Sequence, residues 1–161
     1  MPVLSNSQKY NLVTVMNNHI PHGKLLGIEV DSIDGEELTL RLPYQAALVG
    51  DSDSGTLHSG ALTVLLDQTL GIATVCSDTA EPCFSPTLDL RVDHFGVAPA
   101  GMDVFACAKV YKSTRKLLFV EGFAYCESKD KPIARAMGSW VRVGDVDLSW
   151  LVPGDQSVIL T

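Results

Sequence analysis

Basic residues are scarce in this chain. Its 161 residues include 12 Lys and Arg against 19 Asp and Glu, so the formal net charge is −7. A nucleic-acid partner requires a basic surface that neutralises its phosphates, and this charge balance therefore argues against nucleic acid as the ligand. Any anionic ligand would have to bind at a local basic patch.

Paired cysteines and targeting signals are also missing. No CxxC pair occurs, and the N-terminus MPVLSNSQKYNLV lacks the basic start, the apolar segment and the cleavage site of a secretory signal. We therefore expect a cytoplasmic protein with reduced cysteines that behave as small buried apolar residues. These cysteines are Cys76, Cys83, Cys107 and Cys126. No metal site is expected, because His19 and His22 have no third ligand nearby.

Hydrophobic periodicity predicts two helices and six strands. A loosely amphipathic pattern indicates a helix over about 5–20, which Pro21 and Gly23 are expected to end. The alternation in 87–93 predicts a strand with Leu88, Leu90 and Val92 on its dry face. Short loops between the later segments predict antiparallel neighbours. The strands are predicted over 26–33, 37–42, 87–93, 102–112, 117–127 and 133–143.

This order of elements predicts an α+β fold in which an antiparallel sheet packs around a long central helix. We expect a single domain over 1–161, with its core over about 26–143 and a C-terminal tail over 144–161. Trp150 and Leu151 in the tail are expected to cap a sheet edge. The helix predicted over 57–77 is long enough to cross a bilayer, but its polar residues favour a buried core helix and no membrane partner.

Asp67 is the only charged residue of this helix. It belongs to a stripe of small or polar residues at steps of three and four, which indicates that another element or a ligand approaches closely. A buried carboxylate needs a compensating partner, so Asp67 is interpreted either as a hydrogen-bonded structural residue or as a general base or nucleophile. The stripe comprises Gly60, Thr63, Asp67, Gly71 and Thr74.

The start of the same helix offers a complementary group. Free backbone N–H groups near His58, Ser59 and Gly60 carry the positive end of the helix dipole and are suited to a developing oxyanion. Ser59 and Asp67 are separated by roughly 12 Å along the axis, at 1.5 Å per residue, so one carbonyl cannot reach both within one helix. Two antiparallel copies across a two-fold axis would bring them together, which predicts a homodimer with two shared sites.

Three segments of the chain resemble a known family. GTLHSGALTVLLDQTLG (55–71), SPTLDLRVDHFGVAPAG (85–101) and PIARAMGSWVRV (132–143) are similar to hotdog-fold acyl-CoA thioesterases of the PaaI-like type, and the similarity covers about 26–143. The resemblance implies a hotdog fold, dimers that often pair into tetramers, and hydrolysis of acyl-CoA to free acid and coenzyme A. It implies no cofactor, since coenzyme A is part of the substrate.

The resemblance also suggests roles for individual residues. Asp67 matches the family's general base or nucleophile, and Ser59 stands where the family has a Gly whose amide polarises the thioester carbonyl. Ser52 stands where relatives carry an Asn or Gln, and Thr87 where they place a hydroxyl near the attacking water. His58 is interpreted as an orienting or substrate-lining residue, or alternatively as a residue that makes a local hydrogen bond at the helix start.

A basic cluster is the candidate for binding the coenzyme A phosphates. Its members surround one predicted hairpin turn, although a solvated hairpin tip is the commoner interpretation of such a cluster. They are Lys109, Lys112, Arg115 and Lys116. Two other functions stay open: a hotdog dehydratase or hydratase, which requires a His paired with a carboxylate, and a non-catalytic acyl-CoA binding or sensing domain.

Overall fold

A computed structural model describes residues 3–145 of the chain. Helix α1 spans Asn6–Asn18, and Ser5 caps it reciprocally with the side chain of Gln8. Helix α1 ends before Pro21, as predicted, but Pro21 also begins a second helix that was not predicted, α2, over Pro21–Leu26, because proline is well suited to the first turn of a helix. The strand predicted from Leu26 therefore begins later, and the tail residues Trp150 and Leu151 lie outside the described range.

The long central helix is α3, over Ser59–Ala73, and a 3-10 turn over Thr74–Cys76 extends it. The predicted helix is confirmed with a later start, since Leu57 lies in a short strand. The strands are β1 (Glu29–Asp34), β2 (Glu37–Leu42), β3 (Val49–Asp51), β4 (Thr56–Leu57), β5 (Cys83–Phe84), β6 (Thr87–His94), β7 (Val104–Ser113), β8 (Leu117–Tyr125), β9 (Pro132–Val141) and β10 (Gly144–Asp145).

Six strands form one antiparallel sheet in the order β1-β2-β7-β8-β9-β6. The hairpin β3–β4 and the long-range pair β5–β10 are separate two-stranded pieces, too short to show a period in the sequence. Strand β6 follows the helix in the chain, yet it pairs with the last long strand and occupies the edge of the sheet. The expected α+β architecture, an antiparallel sheet around one long helix, is confirmed.

Helix α3 packs against the sheet through a fully buried leucine face that includes Leu65, Leu66 and Leu70. Strand β8 approaches it closely at Gly122, where an added Cβ would lie 2.9 Å from Leu70 Cδ1 and 2.4 Å from the carbonyl oxygen of Cys107. Only glycine fits at that point, so the sheet can wrap tightly around the helix.

A buried polar bridge fixes α1 against α3. The Gln68 side-chain amide donates to Asn17 Oδ1 at 2.7 Å, and the Asn17 amide donates to the carbonyl oxygen of Ile28 at 2.9 Å. Gly23 leaves the space for this bridge, because a Cβ there would lie 2.2 Å from Gln68 Oε1. The bridge satisfies polar groups that would otherwise be buried without partners.

The segment Ser59–Cys76 is long and apolar enough to cross a membrane by length and composition alone. In the structure 67% of it is buried inside the fold, as expected for the central helix of a domain core. Length and hydropathy of this one segment are therefore weak evidence for a membrane span.

Candidate active site

Helix α3 begins with a histidine cap. His58 is the N-cap residue, and its Nδ1 accepts a hydrogen bond from the N–H of Gly60 at 2.9 Å. An acceptor nitrogen carries no proton, so the imidazole is neutral in this arrangement. Of the two roles considered for His58, the structure displays the local hydrogen bond at the helix start.

The first three amides of α3 differ in their partners. The Gly60 N–H is held by the His58 ring, and the Ala61 N–H donates to the carbonyl oxygen of His58 at 3.0 Å. Within residues 3–145 the N–H of Ser59 contacts no acceptor. The expected oxyanion pair of Ser59 and Gly60 is therefore reduced to one free donor, and Gly60 becomes available only when the imidazole turns away.

Asp67 is half-buried in the middle of α3, and its carboxylate has one direct hydrogen-bond partner among residues 3–145. The hydroxyl of Thr87, the first residue of β6, donates to Asp67 Oδ1 at 2.9 Å. The structure thus brings together two site residues that lie twenty positions apart in the chain. The hydroxyl fixes one carboxylate oxygen and leaves the other free to accept a proton.

A β-bulge explains why Thr87 points at the helix. Thr87 pairs with Trp140 and Asp89 with Ser139, so Leu88 is an extra residue in the strand. The bulge reverses the expected alternation: Leu88 is 60% exposed, whereas Thr87 faces the helix. The prediction that Leu88 lies on the dry face is wrong for this reason, and bulges of this kind commonly redirect a side chain near a functional site.

The small-residue stripe of α3 faces β6 and the end of β9. Thr63 Oγ1 donates to the carbonyl oxygen of Ser59 at 3.1 Å and contacts His94 Nε2 at 3.3 Å. Which of the two groups donates in the second contact depends on the tautomer of the His94 ring. At Gly71 an added Cβ would lie 3.2 Å from the indole nitrogen of Trp140. The close approach predicted from the stripe is therefore that of strands in the same chain.

His94 is a residue of this region that the sequence did not single out for the site. It stands seven positions after Thr87, an odd spacing that places two residues on opposite faces of a regular strand. The bulge after Thr87 restores both to the face toward α3. The one signal in the sequence is that Leu90 and Val92 alternate with polar residues. This alternation places His94, two positions after Val92, on the same face of β6 as these two residues.

Ser52 does not approach Asp67 within the described chain. It lies exposed in the turn between β3 and β4, beside Asp51. The Asp51 carboxylate accepts hydrogen bonds from the Ser54 hydroxyl and the Asp53 N–H, and these lower its pKa. The turn is therefore ordered by its own hydrogen bonds, and the predicted role of Ser52 remains a prediction.

The basic cluster is only partly assembled. Lys112, Arg115 and Lys116 are exposed at the β7–β8 turn, whereas Lys109 lies further along β7 opposite Glu121. The turn lies at the end of the sheet where β6 begins, because Leu118 pairs with Trp140, which in turn pairs with Thr87. Two strand spacings, roughly 10 Å, separate β8 from β6 there.

Metal ligands do not cluster in the described part of the chain. Among residues 3–145 no group of three or more His, Cys, Asp or Glu side chains is arranged to hold an ion. The site consists instead of a carboxylate with its hydroxyl partner, and of an amide at the start of the same helix.

An antiparallel sheet wrapped around one long helix, with this carboxylate in the helix, defines a hotdog-fold protein. Residues 54–133 match the family model described as the thioesterase superfamily. No curated protein matches the chain. The chain belongs to the thioesterase superfamily, within its hotdog-fold, PaaI-like group.

Solved structures share the fold. A Pseudomonas aeruginosa protein from the Northeast Structural Genomics Consortium is 38% identical, with a TM-score of 0.76, and the match covers 84% of this chain and 99% of that one. The Escherichia coli PaaI protein from the phenylacetic acid degradation operon is 18% identical over 88% and 97%, with a TM-score of 0.75. A point mutant of the Thermus thermophilus phenylacetic acid degradation protein PaaI is 25% identical over 76% and 99%, with a TM-score of 0.65.

Proposed function

We propose that this protein hydrolyses acyl-CoA thioesters to the free acid and coenzyme A. Membership of the thioesterase superfamily supports a thioester hydrolase activity in general. The proposal of acyl-CoA hydrolysis by a carboxylate rests on one observation. The half-buried Asp67 carboxylate accepts a hydrogen bond from the Thr87 hydroxyl, and the helix that carries Asp67 begins with a backbone N–H, that of Ser59, which has no partner in the described chain. The protein acts in the cytoplasm and uses no cofactor.

Two subunits share each site in this proposal. Ser59 and Asp67 lie eight residues apart on one helix, roughly 12 Å, which is too far for one thioester carbonyl to contact both. Leu88 in the edge strand β6 is 60% exposed, as is Phe95 directly after the strand, and within residues 3–145 no strand pairs with the outer side of β6. A second copy that pairs with this edge about a two-fold axis would cover these residues and set the two helices antiparallel.

The reaction then proceeds by general-base catalysis. The thioester carbonyl accepts a hydrogen bond from the Ser59 N–H of one subunit, and the partner subunit's Asp67 takes a proton from water. The water oxygen bonds to the carbonyl carbon, the negative charge develops on the carbonyl oxygen at the helix start, and the C–S bond breaks to release the coenzyme A thiolate. The Thr87 hydroxyl keeps the carboxylate oriented.

Ser59→Pro tests the amide directly. Proline lacks the N–H but is tolerated at the first helical position, and the extended backbone of His58 (φ −65°, ψ 133°) suits a residue before proline. Loss of one oxyanion donor is expected to lower kcat by about 10²–10³-fold. Ser59→Ala keeps the N–H and is the matched control, expected to retain activity. Equal activity of Ser59→Pro and wild type would contradict the proposed role.

A mixed dimer tests the shared site. Asp67→Ala chains and Ser59→Pro chains are each expected to be inactive, but a heterodimer of the two contains one intact site. Random mixing should restore about a quarter of the wild-type activity, since half of the dimers are mixed and each has one of two sites. No recovery in verified heterodimers would refute the shared site. Saturable acyl-CoA binding without thiol release by the wild type would favour the binding or sensing function.

The β7–β8 turn is proposed to bind the coenzyme A phosphates. Its exposed cations lie at the end of the sheet where Thr87 begins β6. The double variant Lys112→Glu/Arg115→Glu should raise KM for acyl-CoA while kcat stays unchanged, because phosphate binding is equal in the ground and transition states. Lys131→Glu, in the β8–β9 turn, is the charge control. An unchanged KM in the double variant would exclude this surface.

A further inference from the structure

An apolar cleft of about 400 Å³ lies beside the start of α3. Its walls come from three parts of the chain: the end of α2, the segment before β3, and the first two turns of α3. Gly60 belongs both to this wall and to the helix start that carries the free amide of Ser59. The lining side chains include His22, Leu26, Leu48, Val49, His58 and Val64.

The charge of the lining distinguishes this cleft from two other cavities of the molecule. None of the residues that line it is Lys, Arg, Asp or Glu. The cavity near the N-terminus contains Lys9, Asp78 and Glu81, and the groove on the sheet contains Glu121 and Arg135 among other charged residues. Because burying an unpaired charge is costly, the cleft beside α3 suits an uncharged apolar ligand.

We infer that this cleft holds the acyl group of the substrate, and that the substrates are thioesters of uncharged apolar acids with about six or more carbons. The inference rests on the proposed function, because it places the carbonyl at the Ser59 amide. The cleft opens beside that amide, so the carbon chain enters it directly from the carbonyl.

The position of Val64 sets the length of the shortest acyl chain that contacts the far part of the cleft. It lies four residues beyond Gly60 and therefore roughly 6 Å along the helix axis. An extended chain advances about 1.2 Å per bond, so an acyl chain reaches Val64 after about five bonds. Acetyl and propionyl groups end before this point, whereas hexanoyl and longer groups contact Val64. The affinity gained in this contact is the hydrophobic burial of the outer carbons.

The experiment compares kcat/KM for acetyl-, octanoyl- and succinyl-CoA in wild type and in Val64→Phe. The wild type should prefer octanoyl to succinyl by at least tenfold, and the variant should lower the octanoyl-to-acetyl ratio of kcat/KM at least tenfold. Ala47→Phe narrows the cleft from its exposed opposite wall and should lower the same ratio even if Val64→Phe folds poorly. Val143→Phe, at an exposed position outside the cleft, is the matched control.

The outcomes separate this inference from the proposed function. An octanoyl-to-acetyl ratio unchanged in both cleft variants, or a wild-type preference for succinyl-CoA, would overturn the cleft assignment while thioester hydrolysis stands. If no acyl-CoA is hydrolysed, calorimetric binding of a non-hydrolysable octanoyl thioether of coenzyme A still tests the cleft. Binding weakened at least tenfold by Ala47→Phe supports the assignment, and unchanged binding refutes it.

Discussion

Thr87→Val tests the hydroxyl that orients Asp67. Valine has nearly the same shape as threonine and a high strand propensity, so β6 should form unchanged. The variant removes the 2.9 Å hydrogen bond to Asp67 Oδ1, and a hydrogen bond to a charged group contributes about 1.5–3 kcal/mol. Thr87 is exposed in the described chain, which places the effect near the lower value. A loss of about 1.5 kcal/mol in the transition state lowers kcat/KM about tenfold.

The assay is release of coenzyme A thiol from octanoyl-CoA and acetyl-CoA under kcat/KM conditions. Thr87→Ser retains the hydroxyl and is expected to stay within about threefold of wild type, while thermal unfolding of both variants should match that of the wild type. The reasoning is refuted if Thr87→Val keeps more than half of the wild-type kcat/KM for both substrates. It is equally refuted if Thr87→Ser is as defective as Thr87→Val in a protein that remains fully folded.

Three further predictions concern stability. Gln68→Met retains volume but removes the donor to Asn17, so the free energy of unfolding in urea should fall by about 1–3 kcal/mol at matched protein concentration. Gly122→Ala should prevent recovery of soluble folded protein, because its Cβ would lie 2.4 Å from a backbone oxygen. Burial raises the pKa of Cys76 to about 12 from 9.0, so the unfolded thiol ionises first. Stability should therefore decline as pH rises from about 9 towards about 12, and Cys76→Ala should weaken this decline in urea midpoints.

The main elements could be predicted because their periods are strong. Leucines alternate with polar or charged residues in β2, and α3 is apolar over four turns, so the sequence pattern indicates a strand in the first case and a buried helix in the second. The end of α1 before Pro21 agrees with the prediction, whereas α2 was not predicted, because proline can end one helix or begin another and only the backbone that follows distinguishes the two. The strands of the hairpin β3–β4 and of the long-range pair β5–β10 have too few residues for any period.

The site was predictable in chemistry and less so in geometry. The isolated charge of Asp67 singled out the carboxylate, and the family resemblance suggested Thr87 as a hydroxyl near the attacking water, but neither predicted the hydrogen bond between the two residues. The orientation of Thr87 depends on a β-bulge. The bulge could not be predicted, because the sequence of β6 alternates regularly through the inserted residue. The engagement of the Gly60 amide by the His58 ring was equally hidden, because a sequence does not specify which of several polar groups caps a helix.

The edge position of β6 has a consequence for biosynthesis. Thr87 is made roughly fifty residues before Trp140, its partner across the sheet, and β6 has no other strand neighbour in the described chain. A nascent chain that has produced α3 and β6 holds Asp67 and Thr87 but lacks the strand that aligns them. Docking of β9 therefore completes the alignment of Asp67 with Thr87, and chains that end before residue 132 are expected to be inactive.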